Sequence, residues 1–276
     1  MGGWMPRPRK GNFDENTIAR FVENGRGQGH GSTYQPWLTV NDASSSGLTS
    51  RPTGATTGRT HHLLSKLELH YFLICDFLEN VTDIRERFPL SRGDTLAIAD
   101  QMQVQHPTYN DRTTPMVMTT DFLLDTRNKG KRTHAARSVI YAKNLANPET
   151  RKLLEIERRY WTEKKVDWGI VTERSIPKHV ILNLDWISGP NSIAGLSETE
   201  AEADVLLALE AAIQDQPDKS IGEFCACEDT RKKRKAGSTL GHIRHAISAK
   251  RIRANFRKEL WNPATTISVL FIHDTL

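Results

Sequence analysis

The chain has 276 residues, 37% of them hydrophobic and 26% charged, with a formal net charge of +5. That length exceeds what one buried core needs and leans toward two domains, which excludes a disulfide-dependent miniprotein. No apolar run approaches the ~20 residues that cross a bilayer, and Met1–Arg7 has neither a signal-peptide core nor a myristoylation site, so a cytoplasmic, non-membrane protein is expected. Cys75, Cys225 and Cys227 are too few for a disulfide framework and read as free thiols. Charge is unevenly spread. Residues 171–218 carry two basic side chains against nine acidic ones, and residues 219–276 carry twelve basic against five acidic. Such a basic region suits a polyanion partner as well as a solvated surface.

In chain order, Ile18, Phe21 and Val22 predict a helix over Asn16–Asn24. The four glycines of Gly25–Gly31 then force a loop, which lacks the Gly-Lys-Ser/Thr ending of a nucleotide P-loop. Asn41–Thr60 reads as a long surface connection. Leu64, Leu67, Leu69, Phe72, Leu73 and Phe77 predict a mostly buried helix over His61–Glu79, and Glu68 falls inside its apolar stripe. A carboxylate there is costly to desolvate unless it points outward, is paired or binds a metal. Met116–Asp125 reads as a strand with Asp121, Leu123 and Asp125 on one face; Asn128–Lys131 is its turn and Ala135–Tyr141 its antiparallel partner. A helix over Asn144–Lys165 and a strand at Trp168–Val171 complete an α/β core with a mixed sheet.

Beyond Pro177 the character changes. Ser197–Glu200 reads as a capping-box start to a helix ending near Gln216; a short helix follows at Ser220–Cys225 and another at Ser238–Arg251. Thr265–Leu270 resembles the β-ribbon that closes a winged-helix domain. Cys225 and Cys227 with His242 and His245 miss the usual zinc-finger spacings by one residue in each pair, and the adjacent His61 and His62 cannot face one metal on a helix.

Glu68 on a helix, Asp121 on a strand and polar residues on the next strand form the most productive set. Phosphodiester hydrolysis uses one or two Mg²⁺ ions, which take oxygen ligands and need only one or two carboxylates because they keep several waters. The strings Glu23–Gly31, Tyr34–Val40, Gly58–Ser65 with Leu67-Glu68-Leu69, Asp83–Leu90, His106-Pro107, Met118–Leu123 and Leu154–Trp161 closely resemble the TnsA family, the endonuclease subunits of heteromeric cut-and-paste transposases. The match runs in order from about residue 15 to 175; beyond residue 180 it is one of pattern and length.

The resemblance implies a restriction-endonuclease-like domain over 1–175 and a winged-helix-like partner- and DNA-binding domain over 176–276. It implies Mg²⁺-dependent hydrolysis, with Mn²⁺ as a substitute, at the 5′ strand ends of a transposon in the bacterial cytoplasm. The implied partners are transposon-end DNA, a TnsB-type transposase and a TnsC-type ATPase regulator. Glu68 falls on the family's helical catalytic glutamate and Asp121 on its metal-binding aspartate, with Ser138 and the Val139 carbonyl assisting. The family's catalytic lysine is replaced: the register anchored on Glu155–Trp161 puts Ile140 in its place. Lys143, three residues on, could substitute only through a bulge or the strand's end. Two expectations follow: an endonuclease using Lys143, or a catalytically silent subunit that binds DNA and partners.

Overall fold

The computed structural model describes residues 7–8, 13–44, 48–109, 113–187, 200–254 and 261–272. The chain divides into two compact units, Met1–Ile176 and Pro177–Leu276.

The first unit contains β1 (Arg7–Pro8), α1 (Glu15–Glu23), β2 (Ala43–Ser44), α2 (Lys66–Phe77), β3 (Val81–Pro89), α3 (Arg92–Gln101), β4 (Thr119–Asn128), β5 (Lys131–Val139), α4 (Pro148–Glu163) and β6 (Asp167–Val171). Strands β3-β4-β5-β6 form one mixed sheet, antiparallel as far as β5, with β6 parallel to β5 after the α4 crossover. A parallel neighbour needs such a crossover, whereas β4 and β5 need only Lys129 and Gly130, whose φ values of 49° and 81° suit a primed hairpin turn. Ile18, Phe21, Trp37, Met118, Leu123, Ala136, Ile156, Tyr160 and Trp161 pack one core cluster. Gly27 closes the glycine-rich loop against the end of β3; at its φ of 76° a Cβ would lie 2.2 Å from Pro89 Cγ.

The second unit contains α5 (Lys178–Ile187), α6 (Glu200–Asp215), α7 (Ile221–Arg231), α8 (Ser238–Ser248), β7 (Ile252–Ala254) and β8 (Leu270–Ile272), the last two paired antiparallel. Ser220 and Glu223 form the capping box that starts α7. Asn183 Oδ1 accepts from the Trp261 amide at 2.7 Å, tying α5 to the chain that returns to β8. Among the described residues no helix is long and apolar enough to cross a membrane.

Several expected boundaries move. The helix expected from His61 begins at Lys66, because Ser65 caps it and the residues before it are extended, with Leu63 paired to Ser50. The helix expected from Asn144 opens as a 3-10 turn over Ala142–Ala146, and the Asn147 cap and Pro148 start the α-helix. The ribbon strand expected at Thr265–Leu270 is displaced: Thr265 closes a turn onto Asn262, Ile267–Val269 is a 3-10 turn, and the strand is Leu270–Ile272. The capping residues expected at Ser197–Thr199 lie outside the described residues. Strand β3 and helices α3 and α5 have no counterpart in the sequence reading.

Candidate functional site

Three elements of the first unit bring Glu68, Asp121 and Arg87 together. Ser65 caps α2, and its hydroxyl donates to Glu68 Oε1 at 3.1 Å while the Leu64 amide donates to Oε2 at 2.9 Å. Glu68 therefore does not point outward; it is 6% exposed and fixed by its own helix start. From β4, Asp121 is 3% exposed, and its Oδ2 accepts from the Val139 amide at 2.6 Å at the end of β5. Between the two carboxylates lies the guanidinium of Arg87 on β3: Nη2 is 2.7 Å from Glu68 Oε2, and Nη1 bonds Asp121 Oδ1. Every oxygen of both carboxylates thus has a protein donor. Arg87 has a φ of 50° inside a strand, a left-handed conformation that costs an unbranched non-glycine residue about 1 kcal/mol or more.

The remaining expected residues are placed unequally. Ser138 is fully buried and its hydroxyl accepts from Trp168 Nε1 at 3.0 Å, so it faces β6 and the helix α4. Ile140 is 1% exposed, and its amide donates to the Val171 carbonyl at 2.9 Å. Lys143 is exposed in the 3-10 turn after β5, with Nζ 6.0 Å from the Tyr141 ring centroid. The structure brings Glu68, Asp121 and the Val139 backbone amide to one point. Asp125, expected on the face of Asp121, pairs with Arg85 and with His134 at 2.8 Å.

Sequence reasoning missed Arg87 and Glu157. Glu157 on α4 is fully buried; its Oε1 accepts from the Thr120 hydroxyl at 2.7 Å, and the same hydroxyl accepts from Trp161 Nε1 at 2.6 Å. Its Oε2 has no hydrogen-bond donor. Burial, reinforced by the Asp121 charge, pushes the Glu157 carboxyl up to about 8. Burial likewise pushes Asp121 up, to about 7, opposed by Arg87 and aided by Glu68. Glu68 and Asp121 share the Arg87 guanidinium, and Glu157 is a further buried acid whose carboxyl senses the Asp121 charge. The signal for Glu157 was its place on the apolar side of α4 beside Ile156 and Tyr160; for Arg87 it was the charged run Asp83–Arg87 leading into Phe88-Pro89-Leu90.

A carboxyl whose pKa is raised in the folded state favours folding below the unfolded value of 4.5 and loses that advantage as pH climbs through about 8. Glu157→Gln is therefore expected to melt above the parent at about pH 9, by up to a few kcal/mol, and to lose the difference below about pH 5, as thermal unfolding across pH would measure.

A second acidic group stands apart from this site. His30, Asp83 and Asp125 offer ligand atoms within 4.8 Å of one another, but Arg85 ion-pairs with both aspartates. In the second unit Cys225 is buried and Cys227 exposed on α7, while His245 Nδ1 contacts Glu202 at 2.8 Å.

Residues 78–173 match the family described as TnsA-like endonuclease N terminal, and residues 175–256 match TnsA endonuclease C terminal. The chain is 38% identical over 246 residues to the Transposon Tn7 transposition protein TnsA of Escherichia coli, an alignment that covers 89% of this chain and 88% of that protein. The mixed four-stranded sheet with its flanking helices fits the restriction-endonuclease-like fold of this family.

Proposed function

The chain belongs to the TnsA family of transposition endonucleases, and from that premise we propose that its first unit hydrolyses phosphodiesters at the 5′ strand ends of a transposon in the presence of Mg²⁺. The observation that carries this reading is the convergence of Glu68 and Asp121, from a helix and a strand far apart in sequence, on one buried point. The donor set fits a hard divalent ion in type: two carboxylates converge from α2 and β4 on one buried point. Glu68 and Asp121 would hold it, with the Val139 carbonyl beside them and Ser138 behind. A divalent ion so bound polarises the scissile phosphate and makes hydroxide available near neutral pH. The chain's own residues fix the geometry: Ser65 and the Leu64 amide orient Glu68, and the Val139 amide orients Asp121.

The second unit would bind partners or DNA in the manner of a winged helix. Its basic run is partly spent internally, since Arg231 pairs with Glu228 and Lys232 with Asp204, leaving Lys233 and Lys235 as the stronger candidates for a polyanion contact. The partners this reading names are a TnsB-type transposase and a TnsC-type regulator.

One observation favours a second reading, in which the subunit binds DNA and partners without cutting: Ile140, buried in the place of the family lysine, supplies neither a proton acceptor nor positive charge. Nicking of a transposon-end duplex in Mg²⁺ with the TnsB-type partner present decides between them. Cleavage at the 5′ strand ends is expected, and an intact duplex under those conditions establishes the silent subunit.

A further inference from the structure

Arg87 is placed as a cation would be. Its two Nη atoms each serve one carboxylate, its side chain is 3% exposed, and it completes the hydrogen bonding of oxygens already held by the Leu64 amide, the Ser65 hydroxyl and the Val139 amide. A strained backbone aims it there, and such strain persists only where the surroundings over-determine it. A guanidinium and a divalent ion cannot share the same two carboxylates, because like charges at contact distance repel strongly in a buried site. We propose that Arg87 is an internal lock on the site: pairing with Arg87 and binding of a divalent ion by Glu68 and Asp121 are mutually exclusive, and the ion enters only when the guanidinium leaves. This rests on the reading that Glu68 and Asp121 are the ion's ligands.

The lock also specifies what can release it. A guanidinium leaves two carboxylates most readily for another anion of matching bidentate geometry, and a DNA phosphate has that geometry. The site therefore couples ion entry to arrival of the strand to be cut, and keeps the chain without DNA poor in bound metal.

Calorimetric titration of the full chain with Mn²⁺ tests this without relying on cleavage. Arg87→Gln keeps hydrogen-bonding capacity and removes the charge. It is expected to bind Mn²⁺ at least ten-fold more tightly than the parent, and Arg87→Gln combined with Asp121→Asn is expected to lose that gain. Arg87→Lys, which puts a point charge in place of the fork, is expected to fall between parent and Arg87→Gln, and it carries the test if Arg87→Gln melts before titration. Equal or weaker Mn²⁺ binding in a folded Arg87 variant overturns the lock. So does a gain that survives Asp121→Asn, since the ion is then held elsewhere. The nuclease reading fails by a different result, an uncut duplex in the presence of the transposase partner, so the two failures are told apart.

Discussion

Asp121→Asn and Glu68→Gln are each expected to reduce 5′-strand cleavage by at least about a thousand-fold, roughly 4 kcal/mol of transition-state stabilisation, while leaving the first unit folded. Both substitutions preserve shape and remove one anionic ligand of the proposed ion. The surviving carboxylate still pairs with Arg87, so the guanidinium is not abandoned. The unit is expected to tolerate losing the Asp121 charge because Arg87 keeps Glu68 as its counter-charge and burial already disfavours the Asp121 anion. Strand-specific nicking assays, with circular dichroism on the same samples, would measure the effect. Full cleavage by either folded variant would remove these two residues from the chemistry.

Glu86→Gln is expected to have the largest effect on stability and to act through a different mechanism. Glu86 on β3 is 1% exposed, and both its oxygens are shared: Oε1 accepts from Arg59 Nη1 at 2.9 Å and the His62 amide at 3.0 Å, and Oε2 accepts from Arg59 Nη2 at 2.5 Å and His61 Nδ1 at 2.8 Å. Burial raises its pKa, but Arg59 and His61 outweigh burial and hold the carboxyl at about 2. Neutralising it leaves Arg59 buried without its counter-charge, a loss of about 3–5 kcal/mol for a buried pair with one partner removed. In a unit of this size that corresponds to a fall of about 10 °C in melting temperature by calorimetry. A depressed carboxyl gives stability that is present above its unfolded pKa and lost as pH falls toward about 2, so the gap between parent and variant should narrow only in strong acid.

The two networks show which parts of the molecule its sequence reveals. The β4–β5 hairpin, α4 and β6 are legible because β4 carries a short apolar run, Lys129-Gly130 marks the turn, α4 buries one face at helical spacing, and β6 is a short apolar segment after it. Glu68 and Asp121 stand out as acids within apolar runs. Strand β3 does not, because Asp83, Arg85, Glu86 and Arg87 are all buried; Arg85, Glu86 and Arg87 are paired with groups distant in the chain, and Asp83 with its near neighbour Arg85. Hydrophobic periodicity reads four charges in five residues as solvent-exposed, and only the partners, Arg59, Glu68, Asp121 and Asp125, reverse that reading. Arg87 was hidden for this reason: the residue that closes the site lies on the element whose pattern looks least like a core strand. Lys143, the lysine nearest the expected position, lies exposed in the 3-10 turn after β5, a turn that the periodicity of the preceding strand does not announce.

The two-residue turn between β4 and β5 has a consequence for the order in which the site is assembled. Hairpins of this kind close in about 1–10 μs, because so little chain has to be ordered before the first cross-strand bonds form. Asp121 and the Val139 amide are therefore expected to meet early, since they lie on one local ribbon. Glu68 and Arg87 reach them only once β3 pairs with β4 across the intervening α3 segment. Half of the site is thus expected to form in a fast, local step, with the guanidinium arriving on the slower, long-range docking of β3, so that the nascent ribbon would carry an uncompensated aspartate until the sheet is complete.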